Sequence, residues 1–347
     1  MTKNKARKRE NRRRAAALGI SYTRAHFTRP DFAAAGRRMA QVPPDFRVPR
    51  GVKQALVRLR IQYTGEPLSA ANAGTGRDGS LGLDMCSSRQ RTLRAILALG
   101  LFNRGYHDVA PAADWGLHTV LAYSVTMSPQ HNRLVIITDT PHNVAQYFFD
   151  AGLGFRLEEY PDNGVYVCQH LPTGAQLVIA IDASWKRRVS RGRPMGYQGI
   201  DVPLSEHERQ RLESIPDMSS DAEKLLAGLT CRADSRDPDS KWALGNWFYD
   251  PLETPSSARD RLGSYDRTLW GASNRWTIRL KDLPHIDDIA QSLTANRVGI
   301  PGATWRDLGD HIVVSLGRAT LAIYGPRRTP VPSSSAAQPI ASDQGGA

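Results

Sequence analysis

The side chains suited to acid–base, nucleophilic or metal chemistry are scattered along this sequence rather than grouped. Nine histidines (His26, His107, His118, His131, His142, His170, His207, His285, His311) occur without the short spacings of a zinc or other metal site. Cys86, Cys168 and Cys231 form no CxxC pair, so neither a thiol metal site nor a disulfide framework is indicated. No GxxxxGK[ST], HExxH, GxSxG or EF-hand loop occurs. Gly74, Gly76 and Gly79 satisfy GxGxxG, but a dinucleotide fingerprint needs a strand leading into it. Residues 69–73 supply no β-branched run, which favours a flexible glycine-rich linker. No catalytic residue, metal ligand or cofactor is assigned, and the sequence specifies no reaction.

The chemistry that is concentrated is cationic. Of a net charge of +12 over 347 residues, residues 1–60 hold 17 Lys and Arg against Glu10, Asp31 and Asp45, which makes that segment +14 and the rest −2. Lys3, Lys5, Arg7, Lys8, Arg9, Arg12, Arg13 and Arg14 fall on every side of a hypothetical helix and leave no apolar stripe for docking, so the segment alone is expected to be disordered. A phosphate backbone relieves that mutual repulsion and releases counterions without choosing among bases. The non-specific backbone of DNA or RNA is therefore the leading partner. An acidic protein or membrane surface is the second, and a solvated tail with no partner the third.

A short pattern recurs here. Aligning Gly19 with Gly65 places Arg12 on Arg58, Arg14 on Arg60 and Tyr22 on Leu68, so a basic helix, a glycine break and a second short helix occur twice. The unit is helix–turn–helix-like without a long recognition helix. Arg58 and Arg60 thus join the candidate phosphate contacts. So do Lys186, Arg187 and Arg188, a second basic patch beside Trp185.

The length suggests about two domains. With 40% hydrophobic and 23% charged residues, a mean hydropathy of −0.43 and no apolar run near the ~20 residues of a spanning helix, no membrane insertion is expected. No convincing secretion signal opens the chain. The Arg- and Ala-rich start also fits a transit peptide, against which Glu10 and three early lysines count. Separated cysteines favour a reducing cytoplasm, and 38 Arg against 8 Lys with abundant Ala, Gly and Pro favours a GC-rich, bacterial source.

The periodicity divides the chain into a basic arm with two helical repeats and a Gly-rich linker (1–80), a helix plus a first α+β module (81–182), a connecting region with short helices (183–273), a second module (274–325) and a disordered tail (326–347). A helix with a wide apolar face spans 91–102. In the first module 133–139 (RLVIITD) reads as a strand and 141–151 as a helix. Further strands follow, one after the Asn163–Gly164 turn and the last, 175–181 (AQLVIAI), after Pro172, Thr173 and Gly174. The second module repeats the order with a strand at 275–281 (RWTIRLK), a helix at 284–294, and a hairpin of 311–316 (HIVVSL) and 319–324 (ATLAIY).

At an offset of 142, Arg133 meets Arg275 and the helical set Val144, Tyr147, Phe148, Ala151 meets Ile286, Ile289, Ala290, Leu293. This argues for an internal duplication. Ser205 with Glu208 and Ser220 with Glu223 have capping-box spacing, and Trp242, Trp247, Phe248 and Tyr249 form an aromatic cluster read as core. The expected fold class is α+β: two related βαββ(β) modules forming a body, preceded by a basic helical or disordered N-terminal arm.

A strand, a helix ending in Gly152, Leu153, Gly154 and Phe155, and a strand meander resemble the βαβββ module of the vicinal oxygen chelate (glyoxalase and bleomycin-resistance) superfamily, over residues 131–182 and 274–325. The resemblance implies paired modules facing a cleft. It also implies His and Glu metal ligands at the start of the first strand and near the end of the last. Here those places hold His131–Arg133 and Ile181 or Asp182 in one module, and Asn274 or Arg275 and Tyr324 in the other, which departs from the metal pattern. The expected function is thus non-enzymatic nucleic-acid association through the arm. The alternatives are a small-molecule-binding protein or enzyme using the cleft, and an interaction protein docking on an acidic partner.

Overall fold

The computed structural model describes residues 50–76, 78–103, 115–138, 140–158, 164–181, 197–232, 267–281, 284–295 and 298–327. Helices α1 (Arg50–Thr64) and α2 (Leu68–Gly74) are separated at Gly65, whose φ of +68° suits glycine. Helix α3 (Ser88–Leu101) is capped by Ser87, whose hydroxyl accepts from the Gln90 amide. A 3₁₀ turn (Leu117–Thr119) and the short α4 (Val120–Tyr123) lead into β1 (Ser124–Gln130) and β2 (Arg133–Thr138), followed by α5 (Pro141–Asp150). The meander β3 (Phe155–Leu157), β4 (Tyr166–His170) and β5 (Ala175–Ile181) completes one sheet.

Helices α6 (Glu206–Glu213) and α7 (Ser220–Cys231) precede the second sheet, made of β6 (Arg267–Ala272), β7 (Arg275–Leu280), β8 (Thr304–Asp307), β9 (Ile312–Leu316) and β10 (Ala319–Tyr324), with α8 (Ile286–Thr294) between β7 and β8. The strand orders are β1-β2-β5-β4-β3 and β6-β7-β10-β9-β8. In each sheet a single parallel pair, β2 with β5 and β7 with β10, joins otherwise antiparallel neighbours. The fold is α+β with two similar modules. Register matches as well as order: Arg133 lies opposite Gln130 and Gln176, and Arg275 opposite Ala272 and Thr320.

The repeat is longer than the sequence suggested. β1 and β6 add a hairpin strand ahead of each expected module, and a capped helix comes before the hairpin in both. Ser87 caps α3 and donates its amide to the His131 carbonyl at 3.0 Å; Ser219 caps α7 and donates to the Ser273 carbonyl at 3.1 Å. His131 and Ser273 are themselves 142 residues apart. The unit is therefore αββαβββ.

These two helices hold the modules together. α3 touches β2 and β5 of its own module and β6 of the other; α7 touches β9 and β10 of its own and β1 of the other. Leu93, Leu97 and Leu101 of α3, Leu225, Leu226 and Leu229 of α7, and inward residues such as Leu134, Ile136, Leu177, Ile278, Val314 and Leu321 form one continuous core. Gly228 lets α7 approach closely, because a Cβ there would collide with Ile300.

Two arginine pairs anchor the periphery. On α1 the buried stripe runs through Val57, Arg60 and Tyr63. Arg60 is paired with Glu66 at 2.8 Å, with both side chains fully buried, and donates to the carbonyls of Leu81 and Pro129 at 2.6 Å each. Glu66 also accepts from Ser128 on β1, and Thr126 donates to the Thr64 carbonyl, so helix and strand edge are tied together. On β3, Arg156 grips Glu208 through two bonds of 2.7 and 2.8 Å, while Glu208 and Ser205 complete a reciprocal capping box on α6. The other expected box is displaced by one residue: Ser219, not Ser220, caps α7, and Glu223 instead accepts from Thr92 and Arg91 of α3.

Glu66→Ala leaves a buried guanidinium without its counter-ion and is expected to lower stability by about 3–5 kcal/mol in chemical denaturation. A loss below about 1 kcal/mol would show that the pair does not hold α1 on the sheet. The Arg156 hydrogen bonds hold the Glu208 carboxyl at about 2, below the ordinary 4.5. Because the folded value lies below the unfolded one, the stabilisation is complete above pH 4.5 and is lost as pH falls towards 2. The urea midpoint of the parent should therefore fall more steeply across that window than that of Glu208→Gln, and parallel curves would contradict the assignment.

Candidate nucleic-acid interface

Lys3, Lys5, Arg7, Lys8, Arg9, Arg12, Arg13, Arg14, Lys186, Arg187 and Arg188 lie outside the described residues. Arg58 and Arg60 stand two residues apart on α1 and so face opposite ways. Arg58 is exposed and open to a phosphate. Arg60 corrects the sequence reading: its donors are spent on Glu66, Leu81 and Pro129, and no surface remains to meet a phosphate. The helix–glycine–helix unit is present at 50–74, packed on the body rather than free; its proposed first copy lies outside the described residues.

The glycine pattern also receives a structural explanation. Gly74 closes α2 over the Arg60 guanidinium, which a Cβ would strike, and Gly79 takes φ +87° in a turn. Among the described residues helices, and no strand, precede these glycines. Burial pushes the three thiols up, Cys231 to about 11, so the nucleophilic thiolate is disfavoured. His170 is driven down to about 4 by burial and bonds Thr173 as a neutral ring. His131 is exposed in the β1–β2 turn, and Asp182 lies outside the described residues. Among the described residues no cluster of three His, Cys, Asp or Glu is placed to hold a metal.

The two sheets differ on their outer faces. In the first, β2 and β5 are apolar on both sides: Val135, Ile137, Val167, Val178 and Ala180 form a second buried cluster that Ala70 of α2 joins. In the second, burial alternates. Trp276, Ile278, Leu321 and Ile323 point to the core, whereas Arg275 and Arg279 are exposed and Thr277, Thr320, Ala322 and Tyr324 are half-buried. Register places Thr268, Trp270 and Ala272 of β6 and Val313 and Ser315 of β9 on this same face. These outward positions on β6, β7, β9 and β10 carry no carboxylate.

The rings and charges on this face are in contact. The Arg279 guanidinium lies 5.8 Å from the Trp270 ring centroid and 5.9 Å from that of Tyr324, within cation–π range of both. His311 stacks on Tyr324 with centroids 4.5 Å apart and planes inclined by 16°. Acids at the rim are engaged: Asp307 bonds Arg327, and Asp310 bonds His311 at 2.6 Å, interactions that hold both carboxyls below the usual range. From this face the sequence singles out only Arg275 and Tyr324, at places where the chelate resemblance would have metal ligands, and assigns neither a role. The available signal was the contrast between RWTIRLK, which alternates, and RLVIITD, which does not.

Compared with protein-family models, with curated proteins and with solved structures, the chain has no significant match.

Proposed function

We propose that this chain is a non-enzymatic, nucleic-acid-associated protein that attaches to the phosphate backbone of DNA or RNA through its basic N-terminal segment. The observation that carries the reading is the charge distribution, with +14 in residues 1–60 against −2 in the remainder. A segment of that density gains by releasing counterions from a polyanion, and the gain is independent of base sequence. Arg58 adds an exposed charge on α1; Arg60 is withdrawn from the contact set because it is buried. The resemblance to vicinal oxygen chelate modules bears on how the modules are built, while the activity of such a cleft would need ligands that His131, Arg275 and Tyr324 do not supply.

The test replaces Lys3, Lys5, Arg7, Lys8, Arg9, Arg12, Arg13 and Arg14 together by glutamine, leaving α1 and its buried pair in place. The parent should bind mixed-sequence duplex with an affinity that falls steeply with salt, and each lost phosphate contact should lower the log–log slope by about 0.9. The substituted chain should lose most of that binding in mobility-shift assays. Unchanged affinity for both DNA and RNA would overturn the proposal.

A further inference from the structure

We infer that the open outer face of the second sheet is a stacking platform for single-stranded nucleic acid, with Trp270 and the face of Tyr324 that His311 does not cover as the base-stacking surfaces and Arg275 and Arg279 as backbone contacts. The inference rests on the nucleic-acid reading above and specifies a second contact and a strandedness for it. Its basis is chemical. Arg279 of β7 lies directly opposite Tyr324 of β10 and diagonal to Trp270 of β6, which pairs with Thr277, so ring, guanidinium and ring make an oblique line across three neighbouring strands. The guanidinium lies 5.8 Å from one ring centroid and 5.9 Å from the other, so a single cation is shared by both rings. Duplex bases are already stacked on one another, whereas single-strand bases have free π-faces and a flexible backbone able to follow a sheet.

The first module serves as an internal reference. In the matched registers, the places of Trp270, Arg279, Tyr324 and His311 are taken by Ser128, Ile137, Ala180 and Val165, all buried. The same backbone positions are thus small or aliphatic where the face is covered, and aromatic or cationic where it is open. Solubility alone would be met by residues such as Thr277, Thr320 and Ser315, which already occupy this face. Partly exposed Trp and Tyr rings carry an apolar hydration cost that a stacked base would relieve.

The test uses the full chain, a labelled oligothymidylate and a duplex of the same length, read by fluorescence anisotropy over a range of salt. Trp270→Ala and Tyr324→Ala should each weaken single-strand binding roughly tenfold without changing the salt slope. Trp270→Phe and Tyr324→Phe should restore it, and duplex binding should be unaffected throughout. Arg279→Glu, at an exposed position, should lower the single-strand slope by about 0.7 or more. Single-strand affinity within about twofold of the parent in the ring variants and Arg279→Glu would overturn the platform. If the parent keeps arm-dependent duplex binding in that case, only this inference falls; if the parent binds neither strand nor duplex, the nucleic-acid reading falls with it. Self-association of the parent that the ring variants abolish, without any change in oligothymidylate binding, would also overturn it and assign the face to a second copy of the chain.

Discussion

The packing of α3 against α7 sets the rest of the architecture. A five-stranded sheet with one helix leaves part of its inner face bare, and here each module brings a second helix that reaches across to the first strand of the other. Asn103, just beyond α3, donates to the Leu269 carbonyl and accepts from the Leu269 amide, pinning β6 of the opposite module. Arg267 of β6 in turn donates to the carbonyl of Leu101 at the α3 terminus, where a cation complements the helix dipole. Neither inner face can be buried without the other module's helix. The space between the sheets is therefore filled with apolar side chains, leucine and isoleucine prominent among them.

The buried arginines alter what the basicity of the chain means. Arg60, Arg94, Arg156, Arg232 and Arg267 are all inside, each directing donors to backbone carbonyls. Arg232 makes a bidentate pair with Asp84, which raises its pKa despite burial. A guanidinium offers five donors, enough to satisfy several irregular segments at once, and its desolvation is offset only when those donors are used. In this body arginine joins turns and helix ends, so a count of cations overstates the charge that a polyanion can reach. Four of these five arginines lie outside residues 1–60, and Arg60 within that segment is paired with the buried Glu66.

Much of the fold was legible because strong periodicity and turn chemistry coincide in the central strands. β5 and β10 have the bounds read from AQLVIAI and ATLAIY, and Gly174 and Gly317 take positive φ at the expected turns. The strands that escaped are at sheet edges. β1 contains Pro129, tolerated where one side of the ladder is free, and β8 (TWRD) is exposed at every position, so neither carries an apolar pattern. The helical part of the repeat was missed because α3 and α7 share little beyond their serine caps and the spacing of Leu93 and Leu97 with Leu225 and Leu229. Arg60 was misjudged because a charged residue on a helix is exposed by default, and only a partner at Glu66, placed by the turn at Gly65, makes its burial tolerable.

The two similar modules share some constraints and differ in others. Inward positions remain apolar in both sheets because the shared core demands it: Leu134 and Ile136 have Trp276 and Ile278 as counterparts. Outward positions follow their cover. Ala70 of α2 joins the cluster of Val135, Ile137 and Val178 on the first sheet, where an unpaired charge would be prohibitive. The second sheet has no such requirement, and simple release from it would lead to small polar residues like its own threonines. A tryptophan and a tyrosine flanking an arginine, with histidine stacked beyond, are more than release from burial explains, because partly exposed rings carry an apolar hydration cost. The divergence between two faces of equal backbone geometry therefore argues for a ligand with flat, stackable groups and negative charge on the face that stayed open.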